Sequence, residues 1–125
     1  MTQSPTPRPT SHSGPDAPLQ HTRDARGVHT LILNAPASFN VLGESMLAAL
    51  QRALDAVRDD EGARAVVLAA QGKAFCAGHN LKEMRAHPQL DYYQKLFAQC
   101  SRVMLAIQNL PVPVIARVQG LATAA

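Results

Sequence analysis

The chain has 125 residues, a formal net charge of +3, 46% hydrophobic residues and no tryptophan, which allows one domain at most. Its charged residues are interspersed without a basic run, which argues against a protein that binds nucleic acid. No apolar stretch is long enough to span a bilayer and no secretory signal follows Met1, which argues against a membrane span and against secretion.

The first segment of the chain is rich in proline. Residues 1–18 hold five of the nine prolines together with serine and threonine, and they predict a disordered leader before a folded part over residues 19–125. Arg8, Arg23 and Arg26 leave a mitochondrial transit peptide open as an alternative. We favour a flexible tail, because so many prolines prevent a good amphipathic helix.

Two β-patterned segments follow the leader. Leu19–Asp24 and Val28–Asn34 are predicted to pair as a hairpin, with Gly27 in the turn able to take a positive φ. We expect His21 and His29 on the surface of these strands, not as metal ligands.

The next elements are a helix and a strand. Apolar residues at helical spacing predict an amphipathic helix over Glu44–Arg58, and a short apolar run predicts a buried strand over Ala65–Ala70. Acidic residues crowd the end of the helix, at Asp55, Asp59, Asp60 and Glu61. We interpret them as a solvated helix end and not as a metal site, because they are sequential and lack a metal-loop pattern.

The clearest helical pattern covers Leu90–Asn109. One apolar stripe on it is expected to face the core: Tyr93, Leu96, Phe97, Cys100, Val103, Met104 and Ile107. A strand is predicted over Val112–Val118, with prolines at its entrance. The two cysteines, Cys76 and Cys100, have no metal-type spacing and are expected to be reduced thiols.

The stretch Lys73–Met84 carries the strongest chemical signal. Small residues from Ala74 to Gly78 allow a ligand or another backbone to come close. Asn80 is a good helix N-cap, and Glu83 stands three residues later, as in a capping box. A strand that ends in a tight turn and opens a helix presents free N–H groups, which suit an anionic oxygen.

This stretch resembles a family motif. Phe75-Cys76-Ala77-Gly78-His79-Asn80-Leu81-Lys82-Glu83-Met84 is similar to the F-[CS]-A-G-x-D-[LI]-x-x-M pattern of the enoyl-CoA hydratase/isomerase (crotonase) superfamily, and its wording is most like one branch. Pro111–Gly120 resembles that family's P-x-P-x-[IV]-A-x-[IV]-x-G. Residues 34–42 resemble its N-R-P-[KE]-x-x-N-A-L, except that Ala35 and Ala37 replace charged side chains. The resemblance implies an α/β fold, the truncated N-terminal part of a crotonase-like (ClpP/crotonase) ββα spiral.

The resemblance also implies a site. The family holds a thioester oxygen between two backbone N–H groups, which fall on His79 and Ala125 in this sequence. Substrate-binding positions carried over from the motifs are Ala37, Phe39, Ala77, Gly78, His79, Asn80, Leu81 and Lys82. Phe39 is expected mainly in the core, and Asn40 could merely satisfy loop backbone. The His79 side chain as a base, and Lys82 as a phosphate contact, both stay open.

The resemblance places the acid and base carboxylates of a hydratase beyond Ala125. Glu44, Glu83 and Asp91 are better explained as caps or surface charges. We therefore expect a fragment or truncated product of an acyl-CoA-binding enzyme of fatty acid metabolism, with acyl-CoA as substrate and no further cofactor or metal. The alternative is a non-catalytic paralogue that binds acyl-CoA or associates with subunits. Family members form homotrimers or hexamers, and the expected location is the cytoplasm, or the mitochondrion if the source is eukaryotic.

Overall fold

The computed structural model describes Gly14 and residues 16–123. Most of the predicted leader, and Ala125, lie outside these residues. The last two residues of the predicted leader accept hydrogen bonds from Asn34: its side-chain amide donates to the carbonyl of Ala17 at 3.0 Å, and its backbone N–H donates to that of Pro18 at 2.7 Å. Ala17 is 6% exposed, so this residue of the predicted leader packs against the folded part of the chain.

Within residues 16–123 the strands are β1 (Leu19–Arg23), β2 (Val28–Leu33), β3 (Ala65–Ala70), β4 (Ala74–Cys76), β5 (Val114–Ala116) and β6 (Leu121–Ala122). The main sheet has the order β1-β2-β3-β5. β1 and β2 form the predicted antiparallel hairpin, and β3 lies parallel to both β2 and β5. The hairpin turn contains Gly27 at a φ of 87°, as its position predicted.

The helices are α1 (Glu44–Arg58), α2 (Leu81–Ala86) and α3 (Leu90–Gln108), and a 3₁₀ turn covers Pro36–Ser38. The predicted bounds of α1 and β3 are confirmed, and α3 ends one residue before its predicted end. Leucines of β2 and α1 form the core with the buried face of α3, and each buried leucine stabilises the fold by about 2 kcal/mol. Among the described residues, no helix combines the length and hydropathy needed to cross a bilayer.

The buried face of α3 is narrower than predicted. Leu96, Cys100 and Val103 are at most 6% exposed, in agreement with the prediction. Phe97 and Met104 are 44% and 39% exposed, so their assignment to the core was wrong. Each follows a buried residue by one position, which rotates it about 100° around the helix axis and away from the face that packs against α1.

His29 was also predicted wrongly as a surface residue. It is 4% exposed, because strand alternation places it on the same face of β2 as Leu31. Its Nε2 is 2.6 Å from the carboxylate of Asp60, and its Nδ1 is 2.8 Å from Nε2 of His21. Arg23 donates to the same carboxylate at 2.7 Å, and this bond, followed by that from His29, holds the pKa of Asp60 well below its usual range.

The small sheet of β4 and β6 was not predicted. The two strands are parallel, with Ala74 opposite Leu121 and Cys76 opposite Ala122. Gly120 permits this approach, because a Cβ there would lie 2.0 Å from the carbonyl oxygen of Lys73. The strand predicted over Val112–Val118 is shorter in the structure, where Val114–Ala116 forms β5.

Candidate functional site

A buried asparagine joins the two loops of the site. Asn40 is 0% exposed, and its Oδ1 accepts the N–H of Ala35 at 2.8 Å. Its Nδ2 donates to the carbonyls of Gln71 at 2.9 Å and Ala74 at 3.0 Å. Asn40 therefore satisfies loop backbone, as one interpretation of the sequence held, and it fixes the loop after β2 against the turn between β3 and β4.

Phe39 faces outward, so its prediction as a core residue was wrong. It is 55% exposed, and both it and Asn40 have left-handed backbone, at φ values of 57° and 55°. This conformation costs a non-glycine residue about 1–3 kcal/mol. Phe39 is held in it by two bonds: its N–H donates to Pro36, and its carbonyl accepts the N–H of Ala77, at 3.1 and 3.0 Å. The aromatic side chain thus lies on the surface next to the motif.

The motif turns at Gly78. This residue has a φ of 87°, as its predicted conformational freedom required. Its N–H donates to Sγ of Cys76 at 3.4 Å, and its carbonyl accepts the N–H of Leu42 at 2.8 Å. The second of these bonds belongs to a parallel bridge between Leu42 and His79.

The N–H of His79 differs in its hydrogen bonding from the N–H groups of Ala77 and Gly78. The amides of Ala77 and Gly78 are both bonded, whereas no acceptor for the His79 N–H occurs among residues 16–123. In a parallel bridge the neighbours of the central residue make the bonds, so the N–H of His79 is directed away from Leu42. This turn therefore offers one backbone donor.

His79 borders a cavity of about 410 Å³. The other lining residues are Phe97, Cys100, Ser101, Met104, Leu105 and Gln108, all on α3. The His79 ring meets Phe97 edge-on, with centroids 5.2 Å apart. Its Nδ1 is buried and has no hydrogen-bond partner in the described part of the chain. Burial raises the pKa of the Cys100 thiol, which keeps this wall of the cavity neutral.

The predicted second donor, Ala125, lies outside the described residues. Two residues earlier in the chain, the N–H of Thr123 donates to the carbonyl of Cys76 at 2.9 Å. Because β6 is parallel to β4, this end of the chain runs in the same direction as the segment that leads into His79.

Asn80 and Glu83 cap two different helices. Asn80 accepts the N–H of Glu83 at 3.1 Å, which confirms it as the N-cap of α2. The other half of the predicted capping box is wrong: Oε1 of Glu83 accepts the N–H of Glu44, the first residue of α1, at 2.9 Å. Gly43 at the N-cap of α1 has no side chain to do this, and a Cβ there would lie 3.0 Å from the carboxylate.

Tyr92 lies at the same junction. Burial, followed by the carboxylates of Glu83 and Glu44, raises its pKa to about 12, so its hydroxyl stays neutral at physiological pH. The carboxylate of Glu83 is occupied as a helix cap, and that of Glu44 is exposed.

The predicted substrate-binding residues fall into two groups. Phe39, Ala77, Gly78 and His79 are brought together by the hydrogen bonds described above. Ala37, Leu81 and Lys82 are exposed on the neighbouring 3₁₀ turn and the start of α2, and Asn80 lies between the two groups as the N-cap of α2. The sequence analysis did not predict that α3 forms a wall of the cavity. The only feature of the sequence that could have indicated it is the pair of apolar residues, Phe97 and Met104, that directly follow buried residues of α3.

Comparison with known proteins identifies the family. The family described as Enoyl-CoA hydratase/isomerase matches residues 23–125. A Xenopus laevis protein named enoyl-CoA hydratase domain-containing protein 3, mitochondrial, is 42% identical over 112 residues, 86% of this chain and 38% of that protein. The human protein of the same name is 38% identical over 119 residues, 95% of this chain and 36% of its own length. These relatives form the branch whose version of the motif is most similar to the one in this sequence.

Solved structures agree in fold. The crystal structure of an enoyl-CoA hydratase from Mycobacterium smegmatis has 65% identity and a TM-score of 0.80, over 81% of this chain and 39% of that one. That of human enoyl-CoA hydratase domain-containing protein 3 has 37% identity and a TM-score of 0.78, over 84% and 41%. The chain thus spans less than half the length of these relatives. Its α/β architecture is the N-terminal part of the crotonase-like fold that the motifs predicted, and the chain belongs to the enoyl-CoA hydratase/isomerase family.

Proposed function

We propose that this chain forms the N-terminal part of a protein that binds acyl-CoA thioesters and stabilises an enolate oxygen with backbone N–H groups. One observation carries the proposal: within the turn 77–79, only the N–H of His79 lacks an acceptor among residues 16–123. A fixed donor without a protein acceptor, on a residue that lines a cavity, is what a developing oxyanion requires.

The second donor in this proposal is the N–H of Ala125. Its support is the family resemblance together with the position of Thr123 at the carbonyl of Cys76, three residues before His79. Two donors that converge on one oxygen stabilise the enolate more than the ground-state carbonyl, and removal of one costs about 3 kcal/mol of transition-state stabilisation.

The CoA part of the ligand is proposed to lie across the exposed group. The outward ring of Phe39 offers an aromatic surface, and Lys82 offers a cation for a phosphate. Ala37 and Leu81 border the same surface. Asn80 can contribute its backbone or its side-chain amide N–H, while its side-chain oxygen caps α2.

Binding can be tested separately from catalysis. Calorimetry with butanoyl-CoA would compare the unaltered chain, His79→Pro and His79→Ala. His79→Pro deletes the N–H and should weaken binding on the order of tenfold, the effect of one hydrogen bond to the ground-state thioester. His79→Ala keeps the N–H and should bind within a few-fold of the unaltered chain. Equal losses in both variants would contradict a role for the N–H.

Catalysis by the 125 residues alone is expected to be absent. The carboxylates that the family uses for proton transfer are expected beyond Ala125, and Glu83 is occupied in a helix cap. Crotonyl-CoA should therefore show no hydration above the rate in buffer when it is mixed with this chain. Clear turnover would refute the assignment of the acid and base to positions after Ala125.

The cellular setting follows the relatives only in outline. We propose a role in fatty acid metabolism. We also propose assembly into homotrimers or hexamers, and light scattering would test this oligomeric state. The names of the vertebrate relatives place those proteins in mitochondria, and we propose that location for this chain if its source is eukaryotic. A cytoplasmic location has no support from the comparisons, and no feature of the described residues favours the non-catalytic alternative.

A further inference from the structure

Three side chains connect the edge of the main sheet to the loop after α1. Nε2 of His29 lies 2.6 Å from the carboxylate of Asp60, and Nδ1 of His29 lies 2.8 Å from Nε2 of His21. His21 is on β1, which is an edge strand and pairs within the sheet only with β2. The contact between the two imidazoles therefore gives β1 a side-chain attachment in addition to its backbone bonds.

The carboxylate at one end of this connection determines where the protons lie. Asp60 can only accept hydrogen bonds, because the bonds from Arg23 and His29 hold its pKa well below the usual range. His29 must therefore donate from Nε2, and its Nδ1 carries a lone pair while the ring is neutral. Nε2 of neutral His21 donates to that lone pair, which leaves Nδ1 of His21 to take up a proton.

The contact between the imidazoles is compatible with one added proton but not with two. With one added proton, an imidazolium donates to the neutral ring, and every bond of the connection is kept. With two, both facing nitrogens carry a hydrogen and both rings are positive, so His21 and His29 repel each other. Burial, followed by the charge of His29, lowers the pKa of His21, in agreement with this repulsion.

The charged groups around the two imidazoles are largely paired with one another. Arg23 on β1 shares the carboxylate of Asp60 with His29. The ion pairs in the hairpin turn and at the end of α1 are Arg26–Asp24, Arg58–Asp55 and Arg58–Asp59. Glu61 and Arg64 follow Asp60 in the same loop and have opposite charges. These neighbours therefore add no net charge that would offset a second positive imidazole.

We propose that His21 and His29 form a pH-sensitive switch, which holds β1 in place while the pair carries at most one added proton and releases β1 when the pair takes up a second. Release should be confined to this edge, because β3 lies between β2 and β5 inside the sheet. It should extend to Ala17 and Pro18, which directly precede β1 and accept hydrogen bonds from Asn34.

Nuclear magnetic resonance can follow both the protonation and the release. Long-range proton–nitrogen spectra of the imidazoles would be recorded from about pH 8 to about pH 4.5, together with the protection of β1 and β3 amides from hydrogen exchange. The samples are the unaltered chain, His21→Gln and His87→Gln. His21→Gln removes one titrating ring but keeps an amide that can donate to His29. His87→Gln is the matched control, because His87 is exposed and stacks on Tyr92 of α3.

In the unaltered chain and in His87→Gln, the pair should titrate in two steps more than about one pH unit apart. Only the second step should lower the protection of β1 relative to β3, by about tenfold, as expected for the loss of one hydrogen bond to a charged group. In His21→Gln, His29 should titrate in a single step, and the relative protection of β1 should change by less than about twofold. His21→Thr, which suits a strand, replaces His21→Gln if that variant does not fold by circular dichroism.

Two independent titrations without mutual effect would overturn the switch, and so would a loss of β1 protection at the first step. A folded His21→Gln or His21→Thr that lost β1 protection at acidic pH to the same extent as the unaltered chain would overturn it as well.

Discussion

Replacing Asn40 by alanine should destabilise the fold more than almost any other single polar substitution. Three hydrogen bonds would be lost, to Ala35, Gln71 and Ala74, at about 1 kcal/mol each. Alanine would also have to adopt the left-handed φ of 55°, which costs it about 1 kcal/mol. We therefore expect a loss of about 4 kcal/mol, a large fraction of the 5–15 kcal/mol typical of a domain.

Urea unfolding followed by circular dichroism measures this loss. With a slope of about 2 kcal/mol per molar urea, the midpoint should fall by about 2 M. Asn40→Gly avoids the left-handed penalty and should lose about 1 kcal/mol less than Asn40→Ala. Asn109→Ala, at an exposed position after α3, is the matched control and should change stability by less than about 0.5 kcal/mol. A loss below about 1 kcal/mol for Asn40→Ala would refute the role given to these bonds.

Three further substitutions or conditions test other parts of the structure. Glu83→Ala should lower stability by about 1 kcal/mol in thermal unfolding, because it removes the cap on the N–H of Glu44, whereas Glu83→Gln should keep most of it; equal losses would contradict this role. Burial, then the neighbouring imidazole, lowers the pKa of His21, so the native state resists its protonation and stability should fall as pH drops below about 6.5. The lowered pKa of Asp60 should add a second loss as pH falls below about 3.8, and urea midpoints that stay flat from pH 8 to 3 would disprove both effects. Phe39→Gly should leave stability within about 0.5 kcal/mol, because glycine accepts the left-handed φ, yet weaken acyl-CoA binding; unchanged binding would remove Phe39 from the proposed CoA surface.

Elements with strong local patterns were predictable from the sequence. The helix Glu44–Arg58 and the strand Ala65–Ala70 show their periodicity within one window, and both bounds agree with the structure. The strands β4 and β6 are too short for such a pattern. They exist because Ala74 and Leu121, far apart in sequence, become neighbours in the fold.

The local features of the site were also predictable, whereas its contacts between distant parts of the chain were not. The turn at Gly78 and the cap at Asn80 follow from residue type and spacing within the motif. The partner of Glu83 was not visible, because the N–H that it accepts belongs to Glu44, on another helix. Phe39 was misplaced because hydrophobicity indicates burial, whereas the structure leaves its ring 55% exposed.

The amide signals of His79 and Ala125 provide the most direct test of oxygen binding by backbone N–H groups. Proton–nitrogen correlation spectra would be recorded with butanoyl-CoA and with butyl-CoA, a thioether that lacks the carbonyl oxygen. Both amide protons should move downfield with the thioester and stay in place with the thioether. Identical shifts with the two ligands, or no shift at His79 with the thioester bound, would contradict the proposed site.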